Sequence, residues 1–228
     1  MKTKVFIDID GTITDGAPEG ETGYFEHALQ AELVRRHKLS RQAAMDMLLA
    51  AEEKASGKDP FYALQYLPLK VSKAALWRET LKRQRRKVFP YPDAVWLVKA
   101  LRRKGFDLYL LTNNTANRAL SKMVRAGLAT TRGSRYFKGI YGADVTGCRK
   151  NSPAFYRRVF KLGKFNPKQA VMIGDDPFCD QEIPCKLGVK NVILVNRRQK
   201  ERVVKKGSVF RVNSLRFGWK IVEEILRW

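Results

Sequence analysis

The sequence predicts an α/β protein: a parallel sheet with helices on both faces, and a small helical domain inserted after the first strand. Three observations carry this. Short, continuous apolar runs stand at the start of the chain and again from about residue 107 onward, as strands buried on both faces require. Amphipathic helical segments alternate with those runs from about residue 90, the rhythm of a parallel sheet covered on both sides. Between residues 19 and 87 the apolar residues follow helical spacing and no strand is evident.

The first strand is "KVFIDI", residues 4–9, ended by Gly11. In "GYFEHALQAELVRRHK", Phe25, Leu29, Leu33 and Val34 make a helical stripe. A second helix runs from Ser40, a plausible N-cap, to Gly57, with Ala44, Met47, Leu48 and Ala51 as its apolar face. A third begins at Ser72, with Ala75, Leu76, Glu79 and Leu81 following. "VFPYPD" breaks the helix with two prolines. Then follow the helix "DAVWLVKALRRKG", the strand "FDLYLLTNN", the helix "TANRALSKMVRAG" and a short strand in "FKGIYGAD". The helix "SPAFYRRVFKLG", the strand "AVMIGDD", the short helix "CDQEIPCKLG" and the strand "NVILVN" continue the pattern, and "SLRFGWKIVEEILRW" makes a terminal helix. Residues 1–15 and 90–228 therefore form the core, and residues 16–89 the helical insert.

Composition narrows the function classes. At 228 residues and 44% hydrophobic, the chain can bury a sizeable core. No run of about eighteen apolar residues occurs, so no membrane span is expected, and the amino-terminal "MKTKVFIDID" is too short and too acidic in its apolar stretch for a signal peptide. Cys148, Cys179 and Cys185 form no CxxC pair and the histidines are two, which argues against zinc and for reduced thiols in a cytoplasmic protein. The formal net charge is +23, and it is uneven: residues 16–90 hold 14 Lys+Arg against 9 Asp+Glu, residues 91–228 hold 29 against 10. Such a balance attracts anions, whether phosphorylated metabolites or nucleic acid. The basic runs "KRQRRK" (82–87) and "RRQKERVVKK" (197–206) are not interleaved with aromatic residues, so they are read as solvated faces; nucleic acid is retained as a partner class but not favoured.

In open α/β sheets ligands bind beyond the carboxyl ends of the strands, so the residues that end the apolar runs matter most. The first run ends in Asp8 and Asp10, the next in Thr112, Asn113 and Asn114, and a later one in Asp175 and Asp176, with Asp180 soon after; Lys150 precedes "NSPAFY". Asp8 and Asp10 share one face of a strand. Clustered carboxylates without His or Cys favour a hard divalent cation, with Mg²⁺ the natural choice. One carboxylate can act as nucleophile while the other serves as general acid and base, and Thr and Lys donors suit phosphoryl oxygens. The inventory reads as phosphoryl transfer. Asn113 and Asn114 suit either phosphate contact or turn formation.

Four motifs then resemble one family. "DIDGTIT" looks like the DxDGTxT motif of the haloacid dehalogenase (HAD) superfamily, and "LYLLTNN" like its second motif, a strand ending in Thr or Ser. "KNSPAFY" is similar to the third, KPDPxxF, with Asn151 and Ser152 in place of Pro-Asp, and "IGDDPFCD" to the fourth, GDxxxxD. The helical insert resembles the cap of the branch that includes phosphoglycolate phosphatases and phosphomutases. The resemblance implies a Rossmann-like core and a Mg²⁺-dependent phosphoric monoester hydrolase acting on a small phosphorylated substrate. It implies that Asp8 attacks phosphorus to form an aspartyl-phosphate, and that Asp10 protonates the leaving oxygen and then deprotonates water. Thr112 and Lys150 would bind the phosphoryl group, with Asn113 beside them. Asp175 would bind the metal with the Asp8 carboxylate and the Asp10 backbone carbonyl. Asp180 would orient Lys150 or hold a metal-bound water, with Asp176 as an outer neighbour. The cap is expected to choose the leaving group, hinging near residues 16–20 and 88–93, with residues 20–24 and the "DPFYALQYLP" segment as candidate substrate contacts. Dehalogenation is disfavoured because Asp10 supplies the acid and base that ester hydrolysis needs. Three alternatives stay open: a phosphatase for nucleic-acid ends or nucleotides, a phosphomutase, and a basic nucleic-acid-binding protein on the same scaffold.

Overall fold

A computed structural model describes residues 3–15, 24–55, 59–85 and 87–226. The chain divides into two compact units, Met1–Gly16 with Pro90–Trp228, and Ala17–Phe89. The expected hinge at 16–20, the loop up to residue 23 and the helix stop at Gly57 lie outside the described residues.

The first unit is built on one sheet. Its strands are β1 (Lys4–Ile7), β2 (Asp107–Leu111), β3 (Phe137–Tyr141), β4 (Ala170–Gly174), β5 (Asn191–Val195), β6 (Val203–Lys206) and β7 (Val209–Val212), in the spatial order β3-β2-β1-β4-β5-β7-β6. Every pairing is parallel except β6 with β7. The central strand explains the unbroken apolar run: Val5 and Ile7 join one hydrophobic cluster and Phe6 the other, on opposite sides of the sheet. One cluster takes in Leu97, Leu101, Ile221 and Val222 from helices Pro92–Arg103 and Gly218–Leu226. The other takes in Phe155, Tyr156 and Val159 from helix Pro153–Gly163. Burying each such side chain contributes about 1.5–3 kcal/mol. Helices therefore cover both faces, as the alternating pattern predicts.

The β6–β7 hairpin is absent from the sequence-based expectation, which reads residues 197–206 as a basic run and assigns no element to 207–213. All four residues of β6 are exposed, so no buried face imposes an apolar alternation on them. Val209 to Val212, by contrast, alternates cleanly, with Phe210 and Val212 buried.

The second unit holds helices Tyr24–His37, Arg41–Lys54, Pro60–Ala63 and Lys73–Gln84. Ser40 and Ser72 cap two of them by accepting from the amides of Ala43 and Ala75. Leu29, Leu33, Ala44, Leu48, Ala51 and Leu76 form its core. In Lys73–Gln84 the buried face is Ala75, Leu76, Trp77, Thr80 and Gln84 rather than one that includes Glu79 and Leu81. On that face the Trp77 ring packs tilted against Phe61 with centroids 4.6 Å apart, and the Phe61 ring in turn lies 5.4 Å from Phe25. The segment from Asp59 is helical, with the Asp59 carboxylate accepting from the amides of Phe61 and Tyr62. No helix among the described residues is long and apolar enough to cross a membrane, and the three cysteines are free thiols.

Candidate active site

Register brings the polar residues together. Ile7 pairs with Leu110 on one side and Ile173 on the other, so Asp8, Thr112 and Asp175 emerge at the same edge of the sheet. The Asp8 amide still bonds to the Ile173 carbonyl at 2.9 Å, which holds its carboxylate at the sheet's end.

Lys150 is the centre of the cluster. Its ammonium is 2.5 Å from Asp8 Oδ1 and 2.5 Å from Asp180 Oδ1, and all three side chains are buried. Two carboxylates against one ammonium leave an excess negative charge out of water. Burial pushes Asp8 up to about 7, with Asp180 and Asp10 adding repulsion and Lys150 opposing both. Burial also raises Asp180, again against Lys150. For Lys150 burial acts downward, but Asp180 and Asp8 outweigh it and hold the ammonium well above its ordinary range. Although Asp175 is exposed as a residue, its carboxylate is crowded by the loop after β1, and desolvation followed by repulsion from Asp8 pushes it up to about 6.

Carboxylate oxygens of Asp8, Asp175 and Asp180 lie within 4.8 Å of one another. An all-oxygen donor set with too little positive charge fits a hard divalent cation. Asp180 belongs to this group by distance, but both its oxygens are engaged, Oδ1 by Lys150 and Oδ2 by the Asp176 amide, whereas Lys150 takes only Oδ1 of Asp8; Asp8 and Asp175 are therefore the carboxylates better placed to hold an ion. The Asp10 carboxylate is not part of this group.

Two glycines make this packing sterically permissible. A Cβ on Gly174 would stand 2.1 Å from Asp180 Cγ. A Cβ on Gly11, which also has a φ of +78°, would stand 2.0 Å from Asp175 Oδ2. Each glycine lets a carboxylate lie directly against backbone.

Asp10 is held by three donors: Lys122 Nζ at 2.5 Å and Thr14 Oγ1 at 3.5 Å on Oδ1, and Asn114 Nδ2 at 2.6 Å on Oδ2. Lys122, 1% exposed on helix Ala116–Arg125, was not among the expected residues. Its signal was present: a lysine set between Ala119 and Met123 on an apolar helix face needs a buried partner. Thr112 is buried, and its Oγ1 accepts from the Asn114 amide and Nδ2, both at 3.1 Å. Its own hydroxyl proton is therefore free for an incoming acceptor. Asn113 is exposed, and its carboxamide oxygen accepts from the Lys150 amide at 2.6 Å. Asn113 thus fixes the lysine's loop.

Asp176 does not reach Lys150. Its carboxylate accepts from the amides of Phe178 and Cys179, at 2.7 and 2.9 Å, and starts the π-type turn Pro177–Glu182 that carries Asp180. The Asp176 amide donates to Asp180 Oδ2 at 3.2 Å, and Tyr156 Oη donates to the Cys179 carbonyl, so the turn is fastened at both ends. In the third motif, Ser152 replaces the usual aspartate yet caps helix Pro153–Gly163 by accepting from the Ala154 amide. The substitution keeps an oxygen acceptor at that position.

The raised carboxyls give a pH prediction. Asp8 and Asp175 hold protons in the folded state up to about 7 and about 6, against an ordinary 3.8, so between those values the folded chain binds more protons than the unfolded one. Stability of the metal-free protein should therefore fall as pH rises from about 4 to 7. Mg²⁺, binding the ionised set, should offset that loss, so its increase in Tm should grow from pH 5 to pH 8. A Mg²⁺ shift independent of pH would remove the metal from this cluster.

A family model described as haloacid dehalogenase-like hydrolase matches residues 4–180. Phosphoserine phosphatase of Thermus thermophilus is 32% identical over 99 residues, 43% of this chain and 38% of that protein. Phosphoglycolate phosphatase of Aquifex aeolicus is 31% identical over 104 residues, 46% of each. The chain thus spans less than half the length of the curated relatives it matches. Among solved structures, a HAD phosphatase from Thermococcus onnurineus superposes with a TM-score of 0.59 at 23% identity, over 97% of this chain and 98% of that one. L-2-haloacid dehalogenase from Xanthobacter autotrophicus does so with a TM-score of 0.56 at 16% identity, over 98% and 99%. These likenesses establish the fold, which is common to enzymes of different chemistry.

Proposed function

The chain belongs to the haloacid dehalogenase-like hydrolases, and from its site we infer that it hydrolyses the phosphate monoester of a small phosphorylated metabolite. The observation that carries this reading is the placement of one buried ammonium, Lys150, 2.5 Å from both Asp8 and Asp180. A carboxylate nucleophile attacking a dianionic phosphoryl group needs its repulsion cancelled, and Lys150 is positioned to cancel it. The Asp8 carboxylate attacks phosphorus while the ester oxygen leaves and takes a proton from Asp10. Water then attacks the phosphorus of the aspartyl-phosphate, Asp10 takes its proton, and the bond from phosphorus to Asp8 breaks, returning both carboxyls to their first state. Lys122 and Asn114 hold Asp10 in place for both transfers. Thr112 offers its hydroxyl proton to a phosphoryl oxygen. A divalent cation, Mg²⁺, held by Asp8 and Asp175, would supply further positive charge beside the phosphoryl oxygens.

The matched phosphoserine and phosphoglycolate phosphatases support a small monoester over a polymer as substrate. The test is phosphate release from a panel of phosphorylated metabolites that includes phosphoserine, phosphoglycolate and sugar monophosphates. Release from at least one, dependent on Mg²⁺ and lost with EDTA, is expected. Hydrolysis that survives EDTA, or none across the panel, would overturn the reading.

A further inference from the structure

We propose that the core carries a second phosphate-binding site, formed by Arg198 and Arg211 in a cavity that shares Asp175 with the catalytic cluster. The cavity has a volume of about 450 Å³ and lies between the loop after β1, the carboxyl end of β5, and β7; Gly11, Leu194 and Asn196 also line it. That is the size range of small-ligand sites.

Its three arginines play different parts. Arg197 is a strut: it donates to the Gly11 carbonyl at 2.6 Å, the Thr12 carbonyl at 3.0 Å and Asp93 Oδ1 at 3.3 Å, and stacks 3.5 Å from the Tyr91 ring centroid. Asp93 is fixed in turn by the Leu215 amide and the Ser214 hydroxyl. Arg198 and Arg211 are not committed in this way. Among the described residues neither guanidinium has a carboxylate within ion-pairing distance.

Arg211 lies opposite Leu194 on β5, a residue that lines the same cavity, so its guanidinium and that of Arg198 share one lining. Like charges crowded at one corner repel, and a multiply charged anion relieves the repulsion while accepting the planar donor forks of both arginines. The one acidic side chain in the lining, Asp175, is the one assigned to the cation. The ligand chemistry is a phosphate group, from a small phosphorylated metabolite or from a nucleic-acid backbone.

Binding is measured on the full chain in EDTA with two probes: inorganic pyrophosphate, and a single-stranded oligonucleotide without terminal phosphates, which offers no monoester to the catalytic cluster. The comparison is with Arg198→Gln/Arg211→Gln, at low and high salt. About a tenfold loss per arginine is expected for a probe that uses the site. Arginine-dependent binding of pyrophosphate alone assigns the site to small phosphates. Arginine-dependent binding of the oligonucleotide, with a salt dependence that flattens by about 1.4 units of slope in the double variant, assigns it to nucleic acid. Equal affinities in the two proteins, or no binding of either probe, overturn the proposal. Monoester turnover on the same proteins separates this from the proposed activity: loss of turnover in the unsubstituted chain, with arginine-dependent binding retained, would remove the catalytic reading and leave this site standing.

Discussion

Lys150→Met should produce a protein whose loss of stability depends on pH. The substitution removes the cation 2.5 Å from both Asp8 and Asp180 and leaves two buried carboxyls facing each other. Removing one partner from a buried ionic group typically costs about 3–5 kcal/mol, because the remaining charge is uncompensated. That cost falls on the ionised forms. At pH 5 the two carboxyls, already raised in the folded protein, can stay protonated and need no counter-charge. At pH 8 they must either ionise against each other or stay protonated, and keeping a proton there costs about 1.4 kcal/mol for each pH unit above the ordinary carboxyl value. Urea unfolding should therefore show a small deficit at pH 5 and a large one at pH 8. An equal deficit at both would mean that the lysine stem, not its charge, is what the fold uses. Turnover should fall by at least about 10³-fold, since an Asp8 carboxyl that retains its proton is no nucleophile.

Asp8→Asn should abolish phosphate release, by about 10⁴-fold or more, the range seen when a nucleophile is removed from a covalent mechanism. The carboxamide nearly preserves shape and volume, and it removes one negative charge from a cluster that carries an excess. The variant should accordingly be no less stable than the parent at pH 8. Turnover lost with stability retained is the signature of a chemical role. A variant that keeps a tenth of the parent's turnover would return Asp8 to metal binding alone.

What the sequence revealed follows from what the fold buries. Strands β1, β4 and β5 are covered on both faces, so Val5 to Ile7, Val171 to Ile173 and Val192 to Val195 stand out as apolar runs. The carboxylates that end two of them were legible for the same reason, since each interrupts a buried run at the edge where ligands bind. The β6–β7 hairpin was hidden because β6 buries nothing, and its lysines and arginines look like any solvated charge run. The signal that remained was the pair Gly207-Ser208 between two short Val-containing stretches, a two-residue hairpin turn. Lys122 was overlooked because it sits in a helix with two other basic residues, Arg118 and Arg125, and only its place between Ala119 and Met123 sets it apart. The roles of Asn113 and Asp176 depended on which backbone amides the fold brings to them, the Lys150 amide 37 residues away in one case and the next turn in the other. Residue type and strand position alone do not encode that.

The measurement that tests the account most directly is detection of the covalent intermediate. On the proposed mechanism Asp10 both protonates the leaving oxygen and activates water, so in Asp10→Asn the phosphoryl enzyme should accumulate when the variant is mixed with Mg²⁺ and an aryl phosphate, whose leaving oxygen departs without that proton. After an acid quench and proteolysis, mass spectrometry should find a base-labile phosphoryl adduct on Asp8 itself, absent from Asp8→Asn/Asp10→Asn. Phosphate released by the parent enzyme with no adduct in the variant, or an adduct on any residue but Asp8, would contradict the assignment of Asp8 as nucleophile.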